Sequence, residues 1–315
     1  MLIFVVRRLV TGVVLFVSVT ALTYVLFYSQ GGLTIARKLL PITEATPVLE
    51  RAFAEHLGLL APLPVQYVRW LGSVFSGTFG FSFISGEPVS SVLADRLPVT
   101  LSLIVVSLLL TVVVGGVLGV AAATRGGWID RVLQVLAVVV QAIPAIWLAL
   151  ILVIVFGLTL RVVPATGYIP LSDSFSGWLS SVIVPSFAIA LGSVPVIATQ
   201  LRGSLRDTLG QDFVRTLRSR GISRSSIIFK HGLRNAAGPT LTLLSLQVIG
   251  TLAAAVVVER IYALPGLGNI SVTAGTGDDI PIVLGVTAYM AVIVVVVNLA
   301  VDVANGFLNP RVRLR

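Results

Sequence analysis

The sequence predicts an all-α, polytopic membrane protein with six transmembrane helices and both termini on the cytoplasmic side. Three observations carry this expectation. Of the 315 residues, 56% are hydrophobic and only 11% are charged, whereas soluble domains carry roughly 25% charged residues. Six apolar runs reach the ~20 residues a helix needs to cross a bilayer. Lys and Arg are also unequally shared between the segments that join those runs. The chain reads as a single transmembrane domain over 1–315, with an external loop region over 30–97 and a cytoplasmic loop over 201–238.

The runs are Leu9–Ser29, Pro98–Thr124, Val132–Leu158, Val182–Gln200, Thr240–Val258 and Ile282–Ala304. The first follows Arg7 and Arg8, as a signal peptide's apolar core would. It is longer than the usual ~7–15 residues, and Tyr28-Ser29-Gln30 offers no small-x-small cleavage pattern, so it reads as an uncleaved helix. With the N-terminus placed inside, fifteen of the 22 basic residues fall on inside segments and nine of the 13 acidic residues, from Glu44 to Asp279, fall outside. Basic residues favour the cytoplasmic side.

The external region has structure of its own. Thr46 and Pro47 form a helix start, threonine as cap and proline in the first turn. Leu49, Ala52, Phe53, His56 and Leu57 follow helical spacing, and Gly58 fits a stop. The stretch from Val65 to Phe75, with Tyr67, Arg69 and Trp70, is amphipathic and is expected at the membrane surface. The region is either a packing cap over the helices or a docking and substrate-guiding surface.

The inside segment from Leu201 to Gly238 holds eight basic residues and two acidic ones, Asp207 and Asp212. Asp212 is expected to cap a short helix, with Phe213, Thr216 and Leu217 on one face and Arg215 and Arg218 flanking it. Gly221 stops that helix. Ser223 caps a second one through Ile227, Ile228 and Phe229, and Pro239 marks where the fifth span begins. Arginines alone would enforce topology on a solvated loop. A capped helix, glycine turn and second helix is more than topology requires.

Composition excludes several classes. There is no cysteine, so no disulfide, thiol nucleophile or cysteine-metal site. Only His56 and His231 are present, too few for a histidine metal cluster. The net charge of +9 is spread between apolar runs with no aromatic-basic platform, which argues against nucleic acid. No Gly-x-x-x-x-Gly-Lys-Ser/Thr loop is present, so the chain has no phosphate cradle of its own.

The polar residues inside the spans are pore or gate candidates. Gln141, Gln200, Gln247 and Asn298 could line a pore or join helices by hydrogen bonds. Pro144 and Pro195 should kink the third and fourth helices. Asp302, near the inner end of the last span, reads as an ion-pair partner for Arg311 or Arg125. Glu259 and Arg260 read as an interfacial pair at the outer end of the fifth span.

The basic segment resembles a known family. Gly221, with Arg215-Thr216-Leu217 before it, is similar to the EAA coupling motif of ABC importer permeases. The run Phe213-Val214-Arg215-Thr216-Leu217-Arg218-Ser219-Arg220-Gly221 resembles the dipeptide/oligopeptide/nickel branch, as does Lys230-His231-Gly232-Leu233-Arg234-Asn235-Ala236-Ala237-Gly238-Pro239. So do Val257-Val258-Glu259-Arg260-Ile261-Tyr262-Ala263-Leu264-Pro265-Gly266-Leu267-Gly268 and the tail Asn309-Pro310-Arg311-Val312-Arg313. Arg7-Arg8-Leu9 and Pro64-Val65-Gln66-Tyr67-Val68-Arg69-Trp70-Leu71-Gly72 resemble the first permease of the pair. Two departures stand out: Leu217 replaces a usual alanine, and Ser29-Gln30-Gly31-Gly32-Leu33 replaces a frequent Pro-Gly-Asp-Pro stretch.

The resemblance implies a permease that forms half of a pore for di- or oligopeptides. It implies a second homologous permease, two ATP-binding subunits or domains, and an external substrate-binding protein. ATP and Mg would sit on the partner ATPases, with no cofactor here, in a cell (plasma or inner) membrane. Asp212, Phe213, Arg215, Thr216, Leu217, Arg218, Arg220 and Gly221 would contact the ATPase, with Phe213 and Leu217 as apolar anchors. Two other readings remain: a stand-alone secondary transporter or channel for small solutes, and a non-transporting scaffold. Ion-coupled carriers rely on charge near the midplane and often on inverted repeats. These spans are nearly free of charge and show no clear internal repeat.

Overall fold

The structure, a computed structural model, describes residues 2–41 and 46–308. Glu44 and the tail from Asn309 to Arg315, including the Arg311 proposed for Asp302, lie outside the described residues. The described chain is all-α. The one isolated bridge in it joins Phe81 and Pro88. Among the described residues five helices are long and apolar enough to cross a membrane, and a sixth span is reached if one pair, bent by 100°, counts as a single span.

The helices are α1 (Leu2–Tyr28), α2 (Gly32–Leu39), α3 (Pro47–His56), α4 (Leu63–Phe75), α5 (Val89–Ala94), α6 (Leu97–Arg125) and α7 (Gly127–Ala142). There follow α8 (Ala145–Leu152), which continues as a π-helical turn over Val153–Thr159, then α9 (Phe175–Leu209) and α10 (Asp212–Ser219). The short α11 (Arg224–Ser226) runs through a second π turn, Ile227–Gly232, into α12 (Leu233–Ile261). The chain ends in α13 (Leu267–Thr276) and α14 (Ile280–Leu308).

Contacts divide the chain into two compact units: Met1–Val6 with Val99–Leu264 and Val294–Arg315, and Arg7–Pro98 with Pro265–Ile293. In the first unit α9 is central and packs against α7, α8 and α12. Ser174 starts it, its hydroxyl accepting from the Gly177 amide at 3.1 Å. The helix runs 35 residues through Pro185 and Pro195, both buried, so Pro195 does not interrupt it. Gly115 and Gly119 of α6 meet the same helix. A Cβ on Gly119 would lie 2.8 Å from the Ala198 carbonyl oxygen, and one on Gly115 would lie 3.3 Å from that of Val194. This is a small-xxx-small contact between backbones, suited to helices that gain nothing from hydrophobic exclusion in lipid.

The third span differs from expectation. Pro144 does more than kink it: α7 and the following segment meet at 100°. Ile143 is extended (φ −89°, ψ 124°), the conformation a following proline enforces. The fifth span also differs. Pro239 lies inside α12, and the helical path begins at Arg224 instead. The π turn absorbs the entry, with Gly232 seated against Leu205 of α9.

In the second unit α3 starts and stops as the sequence predicts. Thr46 Oγ1 accepts from the Leu49 amide at 3.3 Å, and Gly58 has φ +70°. Helix α4 turns its Gln66–Trp70 face onto α1. Tyr24 and Tyr28 stack at 4.2 Å, Tyr67 and Trp70 at 5.8 Å, and Tyr24 donates to Gln66 Oε1 at 3.2 Å. Aromatic packing thus joins α1 and α4. The loop before α5 is pinned by buried Asp279, which accepts from Ser82 Oγ at 2.5 Å and from the Phe83 amide at 3.0 Å.

Candidate functional site

Helix α10 is short, basic and mostly uncovered. Gln211, not Asp212, occupies its N-cap position, and no side chain caps it. Asp212 is the first helical residue, where its charge still meets the positive helix end. It lies 3.5 Å from Arg215, with side chains 94% and 80% exposed, a pair that adds little stability. Val214 is the side chain that α10 buries. Phe213 and Leu217 flank it, half-buried, while Thr216, Arg218 and Arg220 are exposed. Val214 thus marks the inward side of α10, and Thr216, read on one face with Phe213 and Leu217, is exposed. Phe213 and Leu217 keep part of their apolar surface uncovered.

Gly221 ends α10 in a Schellman turn. Its amide donates to the Arg218 carbonyl at 3.0 Å, and the Ile222 amide to that of Leu217 at 3.2 Å. Its φ of +74° is the left-handed conformation that favours glycine. Ser223 then caps α11, its hydroxyl accepting from the Ser226 amide at 3.4 Å. The helix, glycine turn and second helix are thus present as a folded unit.

Behind it sits an ion cluster absent from the sequence-level candidates. Asp130, in the first turn of α7, is buried and bonds both Nε and Nη2 of Arg202 on α9, the latter at 2.7 Å. Arg206, one turn on, reaches the same carboxylate at 3.1 Å. Such two-pronged bonds fix direction as well as distance, and this one ties the start of α7 to the inner half of α9. Asp130→Ala would leave two arginines facing each other without a counter-charge. The expected result is a fall in the melting temperature of the purified protein of roughly 5 °C or more. Asp130→Asn should fall between that and the parent.

The pore and gate candidates are not gathered into one lining. Gln141 is exposed and donates to Ala137 of its own helix at 3.0 Å. Half-buried Gln200 donates to Ser204 at 3.2 Å, and Gln247 is half-buried on α12. Asn298 keeps a buried side-chain oxygen with no partner in the described residues. Among those residues no hydrogen bond joins any two of the four. Glu259 and Arg260 point to different surroundings. Glu259 is fully buried and accepts from Thr100 Oγ1 at 2.6 Å, while Arg260 is exposed. No group of three or more potential metal ligands occurs among the described residues.

The described residues thus combine long apolar helices with a short, exposed basic helix between two of them. Comparison with known proteins places the chain. Residues 115–314 match the binding-protein-dependent transport system inner membrane component family, and residues 1–104 match its N-terminal region. The chain belongs to this family, the membrane components of ABC importers. It is 37% identical over 270 residues to a Brucella abortus protein provisionally named a peptide transport system permease, covering 85% of this chain and 86% of that one. It is 33% identical over 314 residues to the oligopeptide transport system permease protein AppB of Bacillus subtilis, covering 98% of each. A probable peptide ABC transporter permease of Sinorhizobium fredii is 32% identical over 312 residues, 99% of each.

Proposed function

We propose that the whole chain acts as one permease domain, forms half of a translocation pore for di- or oligopeptides, and couples through α10 to separate ATPase subunits. The observation that carries the coupling is α10 itself, eight residues that bury one side chain, end in a glycine turn and offer an apolar patch rimmed by arginine. Such a patch has the composition of an interface, with Phe213 and Leu217 at its centre and Arg215, Arg218 and Arg220 at its edge. The peptide assignment rests on the names its relatives carry.

In this reading both termini are cytoplasmic, in the plasma or inner membrane, in keeping with the Lys/Arg asymmetry. A second homologous permease completes the pore, two ATP-binding subunits hold ATP and Mg, and an external binding protein delivers the peptide. This chain contributes no nucleotide-binding residue. Closure of the ATPases pushes α10. The force passes through its turns into α9 on one side and α12 on the other, and the pore alternates its access.

A mild-detergent pull-down from native membranes, read by mass spectrometry, tests the assembly. Recovery of a second permease, ATPase subunits and a peptide-binding protein is the expected outcome. Recovery of this chain alone under crosslinking would overturn it. So would uptake that survives ATP depletion and is lost with ionophores.

A further inference from the structure

Two cavities adjoin where α6 ends, beside α10. The first, about 290 Å³, is lined by Arg206, Arg218 and Arg224 together with Thr124 and Ile228. The second, about 470 Å³, is an apolar groove along α6 past Gly116, Val117, Val120 and Ala121, with Arg125 at its rim. Thr124 and Ile228 line both, so the two lie side by side. We propose that together they hold one anionic phospholipid, its phosphate among the arginines and an acyl chain along the groove.

The charges favour an anion. Asp130 is the carboxylate bonded to this cluster among the described residues, and it is shared by Arg202 and Arg206. Arg224 donates from Nη2 to the Thr124 carbonyl at 2.8 Å, which orients it without neutralising it. Arg218 and Arg125 pair with no carboxylate among the described residues. Guanidinium forks match phosphate oxygens two at a time, and basic pockets at the ends of membrane helices take lipid headgroups.

The groove favours a lipid over a free anion. Its α6 residues follow one helix face for eight residues, about 12 Å at 1.5 Å per residue. That path runs along a spanning helix, as an acyl chain does. Gly116 leaves it open, since a Cβ there would meet nothing within 4 Å. A soluble phosphate would use the arginine cavity and leave the groove idle.

The test is native mass spectrometry of the full chain in mild detergent, offered equal phosphatidylglycerol and phosphatidylcholine, then repeated on the assembled complex. Binding of inorganic phosphate is measured alongside by calorimetry. The expected result is one retained phosphatidylglycerol, favoured at least about tenfold over phosphatidylcholine, where tenfold marks a discriminating contact. Arg224→Gln should remove that preference. Gly116→Phe, whose ring enters open space, should lose the lipid and keep phosphate binding.

Equal retention of the two lipids would overturn the proposal. Phosphate binding by the parent chain with no lipid retained would make this a free-anion site. Displacement of the lipid on assembly would make the groove a subunit interface. None of these readouts involves transport or ATP hydrolysis, so they stand apart from the importer reading.

Discussion

Replacing Gly221 with aspartate is expected to abolish ATP-driven uptake while the chain still inserts in the membrane at its normal level. The backbone at Gly221 has φ +74°, which asparagine and aspartate tolerate better than other side-chain-bearing residues. Beyond its chain neighbours, no described atom lies within 4 Å of where a Cβ would stand. The chain thus leaves room for the new side chain, at the cost of a strained left-handed backbone. The loss should arise from what comes against that open surface, where aspartate adds bulk and a charge opposite to its neighbours Arg218 and Arg220. Gly221→Asn has the same shape without the charge and should lie between. Peptide uptake should fall by at least about tenfold, or about 1.4 kcal/mol of coupling. Uptake assays with immunoblots of the membrane fraction check this, and normal uptake by Gly221→Asp would sink the coupling role of α10.

Truncating Glu259 to alanine is expected to destabilise the first unit by about 3 kcal/mol, from a lost buried hydrogen bond and an unfilled space. Glu259 is fully buried in α12 and takes the Thr100 hydroxyl of α6 at 2.6 Å. The adjoining turn is fixed as well. Tyr262, also buried, donates to the Ala149 carbonyl at 3.3 Å, and its own carbonyl accepts from the Gly167 amide at 3.1 Å. Glu259 thus sits where α6, α8 and α12 are joined to the loop after the broken span. Glu259→Gln keeps an oxygen for Thr100 and should lose about 1 kcal/mol. Thermal unfolding in detergent separates the two, and equal melting temperatures for parent and alanine variant would refute a core role.

The spans were legible because crossing a bilayer demands a long apolar run and little else. Their true ends were not. Helix α9 extends beyond Val182–Gln200 at both ends, since hydropathy registers the lipid-facing part while Ser174 sets the start. The α10 turn was legible because glycine at a helix end has one dominant meaning. Its buried face was not, because Val214 and Leu217 are both apolar and only tertiary contact chooses between them. Asp130 escaped notice because a lone carboxylate near a helix start also reads as a dipole partner, and its arginines lie 72 residues or more away. Gly115 and Gly119 form a Gly-x-x-x-Gly spacing in an apolar run, a signal that could have announced the α6–α9 contact. The burial of Glu259 was not legible, because neighbours in sequence lie on different faces of a helix and only tertiary contact shows which is inside.

The right-angled break at Pro144 bears on how the protein is made. Around it Gln141 and Pro144 are exposed, and the helical hydrogen-bond ladder lapses at a residue with no amide proton. Hydrocarbon cannot satisfy such backbone, so it must be met by protein or by a water-filled passage. In the assembly proposed above a neighbouring subunit would meet that need, so the break marks where this chain would depend on what packs against it during its assembly.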